Sequence, residues 1–292
     1  MLGILAGGGP LPGQVAAAAS AAGRSVFLLG LEGFADPSVL APYPHAYARL
    51  AAAGRILHLL RQHGCRDLVL VGPVRRPSLF DLRPDVEGAR ILARIGRAAF
   101  AGDDGLLAAL VTVLAEEGFR VLGAHEILTE ALAPAGLLTQ TAPDAQAMSD
   151  LARGMAVVRA LGEVDVGQAC VVQQGIVLAV EAIEGTDAML ARSAALARPG
   201  PGGLLVKLAK PGQDRRADLP TVGPRTVRAA SAAGLRGIAF EAGGTILTER
   251  EQMIEIADAA RLFLLGVEPG HAAEPPTAGR PLADVIPTGD TP

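Results

Sequence analysis

No tryptophan occurs in this chain, and Phe and Tyr leave it only 3% aromatic. Proteins that hold single-stranded nucleic acid stack its bases on aromatic side chains, and that platform is missing. A positive footprint is missing as well: 30 Asp and Glu stand against 26 Lys and Arg, for a formal charge of −4. With nothing to neutralise a phosphate backbone, nucleic acid is set aside as a partner. Cysteine is nearly absent. Cys65 and Cys170 lie far apart, each beside an apolar run, and read as buried free thiols of a reducing cytoplasm rather than a disulfide framework. The first 23 residues hold no charged side chain, yet Gly7-Gly8-Gly9-Pro10 and Pro12 cut the apolar run there to six residues, and no basic segment precedes it. Neither a signal peptide nor a membrane-spanning helix is expected at that end. The usual catalytic signatures are lacking in turn: no G-x-S-x-G elbow, no Walker loop and no histidine pair at metal spacing.

What is present is 50% apolar sequence over 292 residues, enough for a sizeable core and for about two domains. Leu2 to Ala6 is a short apolar run, followed by a glycine turn and a helical stretch from Leu11 to Ala22 closed by Gly23. Strands at Ser25–Leu29 and Asp67–Val71 flank a helix over Gly54–His63, and this alternation predicts a parallel α/β sheet. Helices are predicted over Val86–Phe100 and Leu106–Glu117, with Gly102 opening the turn between them, and a strand over Phe119–Leu122. Residues 1–132 are read as a Rossmann-like N-terminal domain, and the Pro-rich stretch 133–143 as a linker. Residues 144–268 form a second α/β domain, and 269–292, rich in Pro, Gly and Thr, a disordered tail. In the second domain a helix is predicted from Ala145 to Leu161, strands over Ala169–Val172, Ile176–Ala182 and Gly203–Leu208, and a helix from about Pro224 to Ala233. Thr248 with Glu251 reads as a capping box for a helix running to Leu262.

Three constellations could carry chemistry. The turn Gly7-Gly8-Gly9-Pro10 at a strand-to-helix junction can offer backbone N–H groups to a phosphate or sugar. The dinucleotide fingerprint is incomplete, however, because Pro12 stands where its third glycine belongs. The second constellation is Val177 to Asp187. Val177, Ala179 and Glu181 share one strand face, so Glu181 continues an apolar row and needs a cation or a base. Gly185 and Thr186 at the following helix start could receive a phosphate, while Asp187 and Glu181 could hold a hard divalent ion. The bland alternative has Thr186 and Asp187 merely capping that helix.

The third constellation, Lys207 to Gly223, holds Lys207 and Lys210, the only lysines of the 26 basic residues. A compact ammonium differs from a guanidinium fork beside a phosphate or a metal. With Asp218 nearby in sequence, the kit suits cleavage of a phosphoanhydride: carboxylates for Mg²⁺, lysines against the developing charge. Of the histidines only His125, in Gly123-Ala124-His125-Glu126, follows a strand in a position worth weighing.

Leu5 to Pro12, Gly102-Asp103-Asp104 with Leu106-Leu107, Glu117-Gly118-Phe119 with Gly123 to Glu126, Val177 to Asp187, and Asp218-Leu219-Pro220-Thr221-Val222-Gly223 together resemble the LpxI-type UDP-2,3-diacylglucosamine pyrophosphatases. The likeness runs in order from residue 2 to about 268. It implies two α/β domains joined by a linker with the lipid product held between them. It implies Mg²⁺-dependent hydrolysis of the diphosphate to UMP and 2,3-diacylglucosamine 1-phosphate, a cytoplasmic-face step of lipid A synthesis in a Gram-negative cell. The essential aspartate of the family's Asp-Leu-Pro-Thr motif falls on Asp218.

The expected site therefore comprises Asp218, Lys210 and Lys207 as catalytic groups. Gly7, Gly8, Gly9, Pro10, Gly185, Thr186 and Thr221 are expected toward substrate, and Asp187, Glu181 and Asp218 toward the metal. A lipid-linked UDP-sugar is the expected partner. Peripheral contact with the inner membrane, through Arg75, Arg76, Leu79 and Phe80, and a homodimer are carried as further expectations. Two rivals stand beside this reading. A nucleotide-sugar oxidoreductase on the Rossmann-like domain would need an acid after the second strand, for which Glu32 is available, and a non-catalytic lipid or nucleotide carrier would retain its ligand without turnover.

Overall fold

The computed structural model describes residues 1–75, 84–96 and 103–268. Arg76, Leu79, Phe80, Gly102 and the tail 269–292 lie outside the described residues. The chain divides into two compact units: Met1–Glu130 with Gln213–Asp218, and Ala131–Gly212 with the chain from Leu219 onward.

The first unit is built on five strands, β1 Leu2–Ala6, β2 Val26–Leu31, β3 His45–Ala48, β4 Asp67–Val71 and β5 Arg120–Leu122. They pair in the order β3-β2-β1-β4-β5, parallel throughout. That is the strand order of a doubly wound half with its switch point between β1 and β4, so the Rossmann-like reading holds. Strands buried on both faces read as near-continuous apolar runs, and β2 is buried at every position. The helix Ala53–Gln62 places Ile56, Leu57 and Leu60 against Phe27, Leu29 and Leu68, and Cys65 closes the same core. Gly64 follows that helix at φ 64°, the left-handed step expected of a residue that ends one. The helix predicted from Val86 runs to Ile95, with Asp85 accepting from the Gly88 N–H at 2.7 Å at its start.

The second unit carries β6 Gly136–Leu137, β7 Ala169–Gln173, β8 Ile176–Val180, β9 Leu204–Lys207, β10 Thr221–Val222, β11 Gly237–Glu241, β12 Ile246–Leu247 and β13 Phe263–Val267. Six of them form a mixed sheet in the order β6-β13-β11-β9-β7-β8, parallel through β13, β11 and β9, antiparallel elsewhere. Strands β10 and β12 pair separately. Both faces of the large sheet are covered, and the alternation along its strands shows how. Cys170, Val172, Leu204, Val206, Ala239 and Leu265 face the long helix Ala145–Glu163 through Leu151, Met155 and Val158. Val171, Leu205, Ile238 and Leu264 pack on the other side against Met189, Val227, Ala230 and Met253, from helices Gly185–Ser193, Pro224–Ala232 and Arg250–Ala259.

Three expectations change. Residues 133–143, expected as a linker, are built into the second unit: Ala133 is buried and donates to the Thr245 carbonyl at 2.9 Å, and Gly136–Leu137 pairs with β13. The Pro content misled because β6 is a two-residue edge strand, where prolines on either side cost no ladder bond. Gln213–Asp218 belongs to the first unit rather than to a continuous 144–268 domain. The predicted capping box is not formed either. The last helix starts at Arg250 behind a left-handed Glu249 at φ 47° with no side-chain cap, and Thr248 is buried instead.

Candidate active site

Lys207 is the last residue of β9 and sits two positions after Leu205, so its side chain continues that apolar row on the three-helix face. It is only 7% exposed. Its ammonium donates to Thr186 Oγ1 at 2.9 Å and to the Thr221 carbonyl at 3.3 Å. Among the described residues no carboxylate lies within ion-pair distance of it. A buried charge without a counter-ion is costly, and an ammonium has three N–H groups, so one N–H remains uncommitted to the protein.

Glu181 follows β8 and is 6% exposed. Its backbone N–H donates to the Ala169 carbonyl, and Ala169 is the register partner of Lys207, so the two side chains start from neighbouring positions across β7. One carboxylate oxygen accepts from the Gln168 N–H at 3.2 Å and the other from the Thr186 hydroxyl at 2.5 Å. The apolar row that made Glu181 conspicuous in the sequence does end in a polar partner: lysine and glutamate are joined through one hydroxyl. Thr186 lies in the first turn of the helix Gly185–Ser193, whose N-cap Glu184 makes no side-chain cap bond, so Thr186 is not a cap. Gln168 had no signal in the sequence, because it acts through its backbone.

The other expected residues of this unit make contacts of their own. Lys210 is paired with Asp165 at 2.5 Å, the two being 10% and 21% exposed, and Asp165 holds the left-handed turn (φ 52°) after the long helix. Lys210 thus ties the loop after β9 to that helix end. Asp187 is half-exposed and forms an ion pair with Arg225 at 3.0 Å. Gly185 begins its helix at φ 78°, a conformation that suits glycine. Thr221 serves Lys207 by its carbonyl, while its hydroxyl donates to the Leu219 carbonyl at 3.4 Å. The turn Gln174–Gly175, with φ of 53° and 76°, closes the β7–β8 hairpin.

In the first unit the glycine turn is engaged with its own sheet. Gly7 N–H donates to the Val71 carbonyl at 2.8 Å and Gly8 N–H to the Pro73 carbonyl at 3.0 Å. A Cβ on Gly7 would lie 2.3 Å from the Gly72 carbonyl oxygen, so this glycine is required by backbone crossing backbone. Pro10 has no N–H at all. Two of the donors expected to cradle a phosphate are therefore committed at the switch point, and the oxidoreductase alternative loses the cradle its pyrophosphate would need. Asp218 is exposed and ends the segment Gln213–Asp218. Its Oδ2 accepts from Gln213 Nε2 at 3.2 Å, and its backbone N–H donates to the Asp214 carbonyl at 3.3 Å. Ala217 packs against the first unit's core. The Arg216 guanidinium, bonded to both oxygens of Asp214 at 3.0 and 2.7 Å, holds that carboxyl below the usual carboxylate range. His125 covers Gly123, where a Cβ would meet its ring at 2.2 Å, and its Nδ1 is buried without a partner among the described residues.

No group of three or more His, Cys, Asp or Glu among the described residues is gathered to hold a metal ion. Magnesium seldom needs such a cage: it takes one or two carboxylates and completes its shell with water and substrate phosphate. Glu181, with one hydrogen bond on each oxygen, keeps lone pairs for that use, and Asp218 offers the same hard donor chemistry. No helix among the described residues is long and apolar enough to cross a membrane.

Comparison with known proteins agrees over both units. Residues 1–131 match the LpxI N-terminal domain and residues 134–265 the LpxI C-terminal domain. A relative from Caulobacter vibrioides (strain ATCC 19089 / CIP 103742 / CB 15), the UDP-2,3-diacylglucosamine pyrophosphatase LpxI, is 43% identical over 274 residues, covering 92% of this chain and 98% of the relative.

Proposed function

Because this chain belongs to the LpxI family, we propose that it hydrolyses the diphosphate of UDP-2,3-diacylglucosamine to UMP and 2,3-diacylglucosamine 1-phosphate. One structural observation carries the reading: a buried ammonium, Lys207, stands without a counter-ion and with one N–H uncommitted. Such a group suits an anion that is absent from the protein itself, and a diphosphate is that anion.

In the reaction we propose, water attacks the phosphorus on the sugar side. A P–O bond forms from water, the bridging P–O bond breaks, and UMP leaves with the bridging oxygen. Asp218 orients or deprotonates the water. Lys207 stabilises charge on the phosphoryl oxygens as it develops. Magnesium is the cofactor of this proposal, with Glu181 as its candidate carboxylate in the second unit; when bound it would supply positive charge against the diphosphate. Asp187, in its ion pair with Arg225, is the weaker candidate. The substrate's acyl chains would bring the protein to the cytoplasmic face of the inner membrane.

Purified protein given the UDP-diacyl sugar and Mg²⁺ should release UMP, EDTA should stop it, and Asp218→Ala should lower the rate by at least about a hundredfold, the range typical of a lost acid–base group. An Asp218→Ala protein with full activity would sink the assignment of that residue, and a wild type that releases no UMP would sink the reaction.

A further inference from the structure

We propose that Thr186 is a positioning residue, not a phosphate ligand: its hydroxyl locks Lys207 and Glu181 together so that one N–H of Lys207 is left for a phosphoryl oxygen of the substrate. The inference rests on the reading of this protein as a hydrolase of a diphosphate-linked sugar.

Its basis is a count of donors. A threonine hydroxyl has one proton to give and two lone pairs to receive with. Lys207 can only donate, so the 2.9 Å contact uses a lone pair of Thr186. A carboxylate can only accept, so the 2.5 Å contact with Glu181 uses the hydroxyl's single proton. Thr186 therefore has no donor left for a phosphate, although its place in the first turn of a nine-residue helix made it look like one. Lys207, by contrast, keeps one N–H after Thr186 and Thr221 are served. The hydroxyl also fixes where that N–H is presented. Without it a flexible four-carbon stem would be held only by the longer 3.3 Å bond to a carbonyl.

The experiment measures kcat and KM for UMP release by wild type, Thr186→Val, Thr186→Ser, Lys207→Met and the double variant Thr186→Val with Lys207→Met, with thermal unfolding of each as a check of the fold. Valine is close to isosteric and lacks only the hydroxyl. It should lower kcat roughly tenfold to a hundredfold, as expected for a hydrogen bond to a charged group, with KM changed less than about threefold. Serine should recover most of the rate. The double variant should be no slower than Lys207→Met alone within about threefold, since Thr186 acts through Lys207.

A Val variant within about threefold of wild-type kcat overturns the proposal. A Ser variant as slow as Val does so too, since the lost methyl would then be responsible. A defect confined to KM marks a direct ligand and is equally fatal, as is additivity in the double variant. Should Val not fold, Thr186→Ala removes the same hydroxyl and is held to the same criteria. An active wild type with an unaffected Val variant refutes the positioning role alone; an inactive wild type refutes the reaction, and the positioning role falls with it.

Discussion

Asp150, fully buried on the long helix of the second unit, accepts the backbone N–H of Gly175 at 2.6 Å. The same carboxylate takes the Gln174 N–H at 2.9 Å and the Gln146 amide at 3.1 Å. A helix side chain thus holds the turn of the β7–β8 hairpin, and Glu181 stands at the far end of β8 from that turn.

Asp150→Ala removes the shared acceptor of two backbone N–H groups in the hairpin turn and frees a buried helix position of its only charge. It is expected to cost roughly 3 kcal/mol, the upper range for a charged acceptor, read as a lowered denaturation midpoint in urea at unchanged slope. Asp150→Asn keeps one acceptor oxygen and should fall in between.

Lys207→Met should lower stability and activity together. It leaves the buried Glu181 carboxylate, joined to the ammonium through the Thr186 hydroxyl, with no cation near it, which is expected to cost roughly 3 kcal/mol, while UMP release is lost. Lys207→Arg should not restore the rate, because a planar fork cannot reproduce a point charge set between the Thr186 hydroxyl and the Thr221 carbonyl. A Met variant of undiminished stability would contradict the linkage of Lys207 to Glu181 through Thr186.

Cys170 is fully buried, its thiol pushed up to about 12 by desolvation, and burial pushes the Cys65 thiol up as well. The thiolate is the reacting form. Native protein at pH 8 should therefore resist iodoacetamide at both positions, and both should be alkylated once guanidinium is added, as read by intact mass. Fast labelling of the native state would contradict the packing of Cys170 between the long helix and β9.

Asp67 on β4 is bonded to both the Nε and Nη2 of Arg120, at 2.8 and 3.0 Å, and to Arg24 at 2.5 Å. The Arg120 hydrogen bonds, with the charges of Arg120 and Arg24, hold its carboxyl below the ordinary value, against partial burial. A depressed folded value means the contribution to stability is complete above the unfolded value of about 3.9 and is lost as pH falls through the folded one. Melting temperatures of wild type and Asp67→Asn should differ at pH 6, and the gap should shrink steadily as pH falls below about 4. A gap that does not narrow on further acidification would count against this pairing.

Much of this was legible in the sequence, for identifiable reasons. Leu2–Ala6 and its glycine turn were legible because a buried parallel strand is a continuous apolar run and only glycine can cross another backbone at Gly72. Glu181 was legible because an acid ending an alternating row must find a partner. Its partner was not, since Lys207 lies 26 positions on (207 − 181) and meets it only through a hydroxyl that looked like a helix cap. Lys210 is paired with Asp165, and nothing in the Lys207 to Gly223 stretch foretold that contact. Strand β3, His45–Ala48, escaped notice because a four-residue edge strand needs no apolar alternation. β13 escaped because Phe263–Val267 follows the last helix after only three intervening residues and reads as its continuation. The placement of Gln213–Asp218 is a tertiary fact with no local signature: six residues interrupted by Asp and Arg look like any loop.

That last segment bears on how the protein is made. Residues 1–130 leave the ribosome first, yet the first unit also needs Gln213–Asp218, which emerge only after half of the second unit has been synthesised. The amino-terminal sheet can collapse early around Phe27 and Leu68, but it waits for Ala217 to complete its core. Asp218 is the final residue of that late-arriving piece, so the proposed catalytic carboxylate reaches its station only when both units are well under construction.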